Sequence, residues 1–230
     1  MTAPDVRSII FDLDGTLYVS PQFAADIRDA AAEFLSKLSG ITLAESLQRI
    51  RETRSQIKET TGAEPALSAI CLSLGGTLQG LHAYFADRLQ PERFLTRDHR
   101  VIALLERLAA KYHLLLYTNN NRTLSDRIIR HLGIDGFFSA TYTIDSFWQA
   151  KPDRDALTGI IRDTGLPPDK LLFIGDRYDI DLRLPEELGC RIWLSRSIDR
   201  LLQLEEMLAG CHGAEKDSCR GDACLPASQP

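Results

Sequence analysis

Asp12 and Asp14 stand two residues apart, directly after the apolar run Ile9-Ile10-Phe11 and directly before Gly15. Such a run reads as a short strand buried on both faces. Residues two apart on a strand point the same way, so both carboxylates project from its C-terminal end. Two acids side by side at the edge of a core are costly unless a metal ion or a shared proton relieves them. Gly15 calls for a sharp turn; a plain Asp-Gly hairpin turn is the bland alternative. Three more apolar runs end in polar residues of the same kind. His113 to Thr118 leads into Asn119, Asn120 and Asn121; Phe137 to Ile144 is followed by Lys151-Pro152; Leu171 to Ile174 leads into Gly175-Asp176 with Asp179 and Asp181 beyond.

The elements that carry these residues alternate. Val101–Tyr112, Thr123–Leu132, the segment from Asp153 to Thr164 and Ile198–Leu208 have helical periodicity, and Arg191–Leu194 supplies a fifth strand. Strands alternating with helices predict an α/β fold, a doubly wound, Rossmann-like parallel sheet covered on both faces. Ligands of such sheets bind beyond the carboxyl ends of the strands. One rim would then gather up to five carboxylates, one lysine and one hydroxyl, and Mg²⁺ suits a cluster of that composition because it takes carboxylates, waters and phosphate oxygens. Between the first and second strands lies a purely helical stretch. Ala24–Leu38 is amphipathic, Thr42 and Glu45 form a capping box, Pro65 opens a third segment, and Thr77–Leu89 a fourth. The predicted division is therefore residues 1–18 and 94–209 as the core, 19–93 as an inserted α-helical unit, and 210–230 as a flexible tail rich in Gly, Ser, Pro and charge.

Asp12-Leu13-Asp14-Gly15-Thr16, Thr118, Lys151-Pro152 and Gly175-Asp176…Asp181 resemble, in order, the four motifs of the haloacid dehalogenase superfamily. The resemblance frames the chain to about residue 195 and makes the helical stretch similar to the family's cap. It implies Asp12 as nucleophile forming an aspartyl-phosphate, and Asp14 as the acid and base that serves the leaving oxygen and then water. It implies Mg²⁺ held by Asp12, the backbone of Asp14 and Asp176, with Asp181 favoured over Asp179 as support. Thr118 and Asn119 would bind the phosphoryl group, and Lys151 would neutralise charge. Asp14 argues against dehalogenation, because a halide needs no proton. A phosphatase acting on a small phosphorylated metabolite (a sugar phosphate, phosphoglycolate or a nucleoside monophosphate) is the expected function; a phosphomutase or a non-catalytic phosphate-binding relative are the alternatives. Leu17-Tyr18 resembles pyrimidine nucleotidase-type members.

Taken singly, Thr118 could be only a helix cap and Lys151 a surface lysine. Arg49, Arg51, Arg54 and Lys58 are candidates for gripping substrate, although a charged helix face is usually solvated. Asn120, Asn121, Arg122 and Arg177 have no assignable role, and His82 and His113 read as structural. A formal net charge of −5 in 230 residues predicts no nucleic-acid polymer and no membrane surface as partner. Without an apolar span or a signal pattern, a cytoplasmic location is expected. The five cysteines are predicted to be reduced thiols, and Cys211, Cys219 and Cys224 match no zinc spacing.

Overall fold

The computed structural model describes residues 5–210, so Cys211, Cys219, Cys224 and all but the first residue of the predicted tail lie outside the described residues. Five strands, β1 (Ser8–Phe11), β2 (His113–Tyr117), β3 (Ala140–Tyr142), β4 (Leu171–Gly175) and β5 (Arg191–Leu194), form one sheet in the order β3-β2-β1-β4-β5. Every pairing is parallel. The central strands are apolar at consecutive positions because both faces are covered. Ile9, Phe11, Leu114, Leu116, Leu172 and Ile174 enter one core cluster. Ile10, Leu115, Tyr117, Leu171 and Phe173 enter the other. Each large side chain so buried contributes roughly 1.5–3 kcal/mol.

Four helices follow β1 ahead of α5 (His99–Ala109): α1 (Pro21–Ser39), α2 (Leu43–Thr61), α3 (Leu67–Ser73) and α4 (Leu78–Arg88). The capping box holds as expected: Glu45 N donates to Thr42 Oγ1 at 3.2 Å and Thr42 N to Glu45 Oε2 at 2.8 Å. Glu33 of α1 accepts from Arg88 Nε of α4 at 3.0 Å, tying the first and last of these helices together. Then follow α5 (His99–Ala109) before β2, α6 (Arg122–Leu132) after it, α7 (Ile144–Phe147) and α8 (Arg154–Thr164) before β4, α9 (Arg183–Glu187) before β5, and α10 (Ile198–Leu202) and α11 (Leu204–Leu208). No helix among the described residues is long and apolar enough to cross a membrane.

The short strand expected within Phe137 to Ile144 is Ala140–Tyr142, followed by a short helix that Thr143 and Ser146 cap. One expectation needs adjustment: the final helix is two, broken at Gln203, which serves as C-cap of α10 and N-cap of α11. Asp179 and Asp181 sit on a wide, π-type turn over Tyr178–Leu182.

Candidate active site

Register brings the polar strand ends together. Phe11 pairs with Leu116 and with Ile174, so Asp12 lies level with Tyr117 and Gly175, one step short of Thr118 and Asp176. Asp12 N donates to Ile174 O at 2.8 Å, fixing the chain as it leaves the sheet. Leu13 is fully buried, which turns Asp12 and Asp14 away from the core on either side of it. The chain then curls back, Gly15 N donating to Tyr18 O at 2.9 Å. Gly15 has φ +83°, and a Cβ there would meet Asp176 Oδ2 at 2.5 Å, so glycine is required by conformation and by space.

Lys151 crosses the rim and is 3% exposed. Its Nζ donates to Asp12 Oδ1 at 2.6 Å, Asp181 Oδ1 at 2.7 Å and the Tyr117 carbonyl at 3.0 Å, which satisfies all three of its protons. Burial disfavours its charge, yet the Asp12 and Asp181 carboxylates hold its pKa above the usual lysine range. Burial pushes the Asp12 carboxyl up to about 7, against the pull of Lys151 and with the push of Asp181. Asp176 is raised to about 6, again by burial, with Arg177 opposing. With Lys151 in contact, the ionised pair is the stable one, and burial first, with the neighbouring carboxylates second to it, raises the carboxyl values.

Asp14 is served separately. Its Oδ1 accepts from the Tyr18 hydroxyl and its Oδ2 from Asn120 Nδ2 at 2.6 Å. Burial raises its pKa, opposed by the Tyr18 hydrogen bond. A carboxyl so held, half-buried beside the site, is suited to give and take a proton. Thr118 is buried and does not cap α6; that position belongs to Asn121, whose Oδ1 accepts from Leu124 N at 2.8 Å. The Asn119 side chain accepts from Lys151 N at 2.7 Å, anchoring the lysine's backbone.

Carboxylate oxygens of Asp12, Asp176 and Asp181 all lie within 4.8 Å of one another. Asp181 joins this group and Asp179 does not. A Cβ at Gly175 would collide with Asp181, so the absent side chain makes its approach feasible. Asp176 Oδ1 is buried without a hydrogen-bond partner among the described residues. An all-oxygen donor set with a carboxylate oxygen that accepts no hydrogen bond among the described residues, and meets only the Arg177 Nε at 3.6 Å, fits a hard divalent cation. Asp14 contributes no side-chain oxygen to the group, consistent with a backbone contribution alone.

Beside the rim opens a cavity of about 450 Å³, reached by Asp14, Asn119, Asn120 and Asp176 on the sheet side and by α1, α3 and α4 on the other. Sequence reasoning missed Tyr18 and Asn120 as partners of Asp14, Asn121 as a tie to the helices and His82 as a lining residue. The run of three asparagines after a strand was the available signal for two of them; His82 offered none. Arg49, Arg51, Arg54 and Lys58 do not line the cavity. Arg54 and Lys58 instead pair with Glu64 at 3.2 and 3.1 Å.

Residues 6–189 match the family model of the haloacid dehalogenase-like hydrolases. Over 176 residues the chain is 27% identical to an N-acetylmuramic acid 6-phosphate phosphatase of Pseudomonas aeruginosa, covering 74% of each. Over 201 residues it is 24% identical to a phosphoglycolate phosphatase of Shigella boydii, covering 81% of this chain and 79% of that one. Among solved structures, a HAD phosphatase from Thermococcus onnurineus superposes with a TM-score of 0.59 at 20% identity, covering 89% of this chain and 99% of that one.

Proposed function

Because the chain belongs to the haloacid dehalogenase-like hydrolases, we propose that it is a Mg²⁺-dependent phosphatase of small phosphomonoesters, working through an aspartyl-phosphate on Asp12. The observation that carries this reading is the separation of two carboxylates by partner: Asp12 against Lys151, and Asp14 against Tyr18 and Asn120. A nucleophile must stay ionised, which the Lys151 ammonium favours at Asp12; a general acid must hold a proton, towards which burial raises Asp14 against the hydrogen bonds of Tyr18 and Asn120.

Asp12, Asp176, Asp181 and the backbone of Asp14 are the residues that would hold Mg²⁺, which when bound supplies charge neutralisation for the phosphoryl oxygens. Asp12 attacks phosphorus as Asp14 protonates the departing alkoxide. Asp14, now a carboxylate, takes a proton from water as that water attacks the phosphorus of the intermediate, releasing phosphate and restoring Asp12. Thr118 and Asn119 hold the equatorial oxygens, and the ammonium of Lys151 offsets charge that builds on Asp12 and the phosphoryl group. Helices α1–α4 act as a cap that keeps bulk water from the site. The phosphatase names of two relatives support the same class of ester. Phosphate release from para-nitrophenyl phosphate, dependent on Mg²⁺ and abolished by chelation, is the expected result; purified protein that releases none with Mg²⁺ present would reject the reading.

A further inference from the structure

The three asparagines that follow β2 divide their side chains among three different elements. Asn119 Oδ1 accepts from Lys151 N at 2.7 Å. Asn121 accepts from Leu124 N of α6 and donates to the His82 carbonyl of α4, each at 2.8 Å. Asn120 Nδ2 donates to Asp14 Oδ2 at 2.6 Å. The first and third thus hold backbone, while Asn120 holds a side chain that reacts. Its own backbone is pinned: Asn120 N donates to Thr118 Oγ1 at 3.1 Å, and its carbonyl accepts from Ile144 N at 3.0 Å. With both neighbours anchored and Asn120 itself buried, the amide is presented from a fixed place.

Asp14 lacks such anchorage of its own. It stands half-buried on the turn after β1, and the torsion that sets the plane of a carboxylate is broad and soft. Two donors from separate segments remove that freedom. Asn120 takes Oδ2, and Oδ1 goes to the hydroxyl of Tyr18, whose ring packs on Phe23 with centroids 6.3 Å apart. A carboxylate oxygen has two acceptor sites, so one on each oxygen stays open to exchange a proton with a leaving oxygen or with water. We propose that Asn120 is a positioning residue for proton transfer, setting the plane in which the Asp14 carboxyl meets the leaving oxygen. This rests on the phosphatase reading for the reaction and gives a role to a residue that the sequence left without one. Thr118 and Lys151 serve the phosphoryl group whatever departs from it, whereas the Asn120 side chain acts only where Asp14 acts. Misplacing a reacting group by an ångström costs up to about a hundredfold in rate, which a single locating hydrogen bond can prevent.

The test is the steady-state kinetics of Asn120→Ala on two substrates: benzyl phosphate, whose alkoxide needs a proton to leave, and acetyl phosphate, whose leaving group needs none. For the ester, kcat is expected to fall about thirtyfold with KM within about twofold, and acetyl phosphate turnover to fall by no more than about threefold. In Asp14→Asn protein the same substitution should cost no more than about twofold further, because the group it positions is already disabled. Asn120→Leu, of nearly the same shape but without the donor, should repeat the pattern and stands in if Asn120→Ala does not fold. Tyr18→Phe, which keeps the ring and removes the other donor, should shift the ester in the same direction. Equal losses on both substrates, a loss carried by KM, or full additivity with Asp14→Asn would overturn the inference, as would undiminished ester turnover in folded protein. Wild-type protein that releases phosphate from neither substrate would remove the phosphatase reading itself and the inference with it; a wild type active on both, with the wrong pattern in the variants, would remove the inference alone.

Discussion

The two sides of the cavity solve opposite problems. On the sheet side, acidic groups crowd around one buried lysine; Asp12, Asp14 and Asp181 each accept a hydrogen bond, while Asp176 Oδ1 and the Tyr117 hydroxyl have no partner among the described residues. On the helical side, aliphatic and aromatic side chains surround one histidine whose ring nitrogens have no hydrogen-bond partner among the described residues. The first side is assembled by register, which carries Asp12, Thr118 and Asp176 to one rim within a residue of the same level. The second is assembled by packing, and its shape follows from which helix faces meet. The contrast teaches that the polar rim and the apolar packing facing it are held by different kinds of structure in this chain.

Substitutions on the sheet side should be severe and should spare the helical side. Asp12→Asn is expected to lower turnover by about four orders of magnitude or more while far-UV circular dichroism is unchanged, since the nucleophile has no substitute. Turnover at the wild-type rate would remove Asp12 from its role. Asp14→Asn should slow ester hydrolysis by roughly 10²–10⁴-fold and acyl phosphate hydrolysis much less, because only the ester's leaving group needs a proton. Similar losses on both substrates would separate Asp14 from the leaving group. Lys151→Met strands Asp12 and Asp181 without their shared cation, and chemical denaturation without added metal should show a loss of about 3–5 kcal/mol. A loss below 1 kcal/mol would mean that the buried ion pairs matter little to the fold.

The helical side predicts a smaller, pH-dependent effect. The folded pKa of His82, about 4, lies below the ordinary value of 6.5, so its neutral form is favoured by folding. Its contribution is fully present above pH 6.5, falls as pH drops through the interval to 4 while the unfolded chain takes up the proton, and is constant below that. Between pH 7.5 and pH 5 the wild type should therefore lose about 2 kcal/mol more than His82→Phe in urea denaturation. Equal losses would show a ring that stays solvated in the folded protein.

What the sequence disclosed follows the same division. Strand ends are legible because alternation fixes which residues share a rim and because an acid after an apolar run has few other uses; Asp12, Asp176 and Lys151 meet as expected. The spacing of Asp179 and Asp181 left a choice that the wide turn over Tyr178–Leu182 resolves, by burying Asp181 and leaving Asp179 partly exposed. The helical stripes read as core, and Phe23, Leu35, Leu81 and Phe85 are buried in the larger core cluster. His82 read as structural and is buried among them, though the lack of a partner for its ring nitrogens is a property of three-dimensional surroundings that periodicity does not show.

The central claim is that Asp12 transiently carries the phosphoryl group. Rapid quenching of protein turning over acetyl phosphate with Mg²⁺, followed by borohydride reduction and peptide mass spectrometry, tests it directly. The account predicts conversion of the residue at position 12 to homoserine, the reduction product of an aspartyl-phosphate. Phosphate release without that product, or with reduction at Asp14, Asp176 or Asp181 instead, would contradict it.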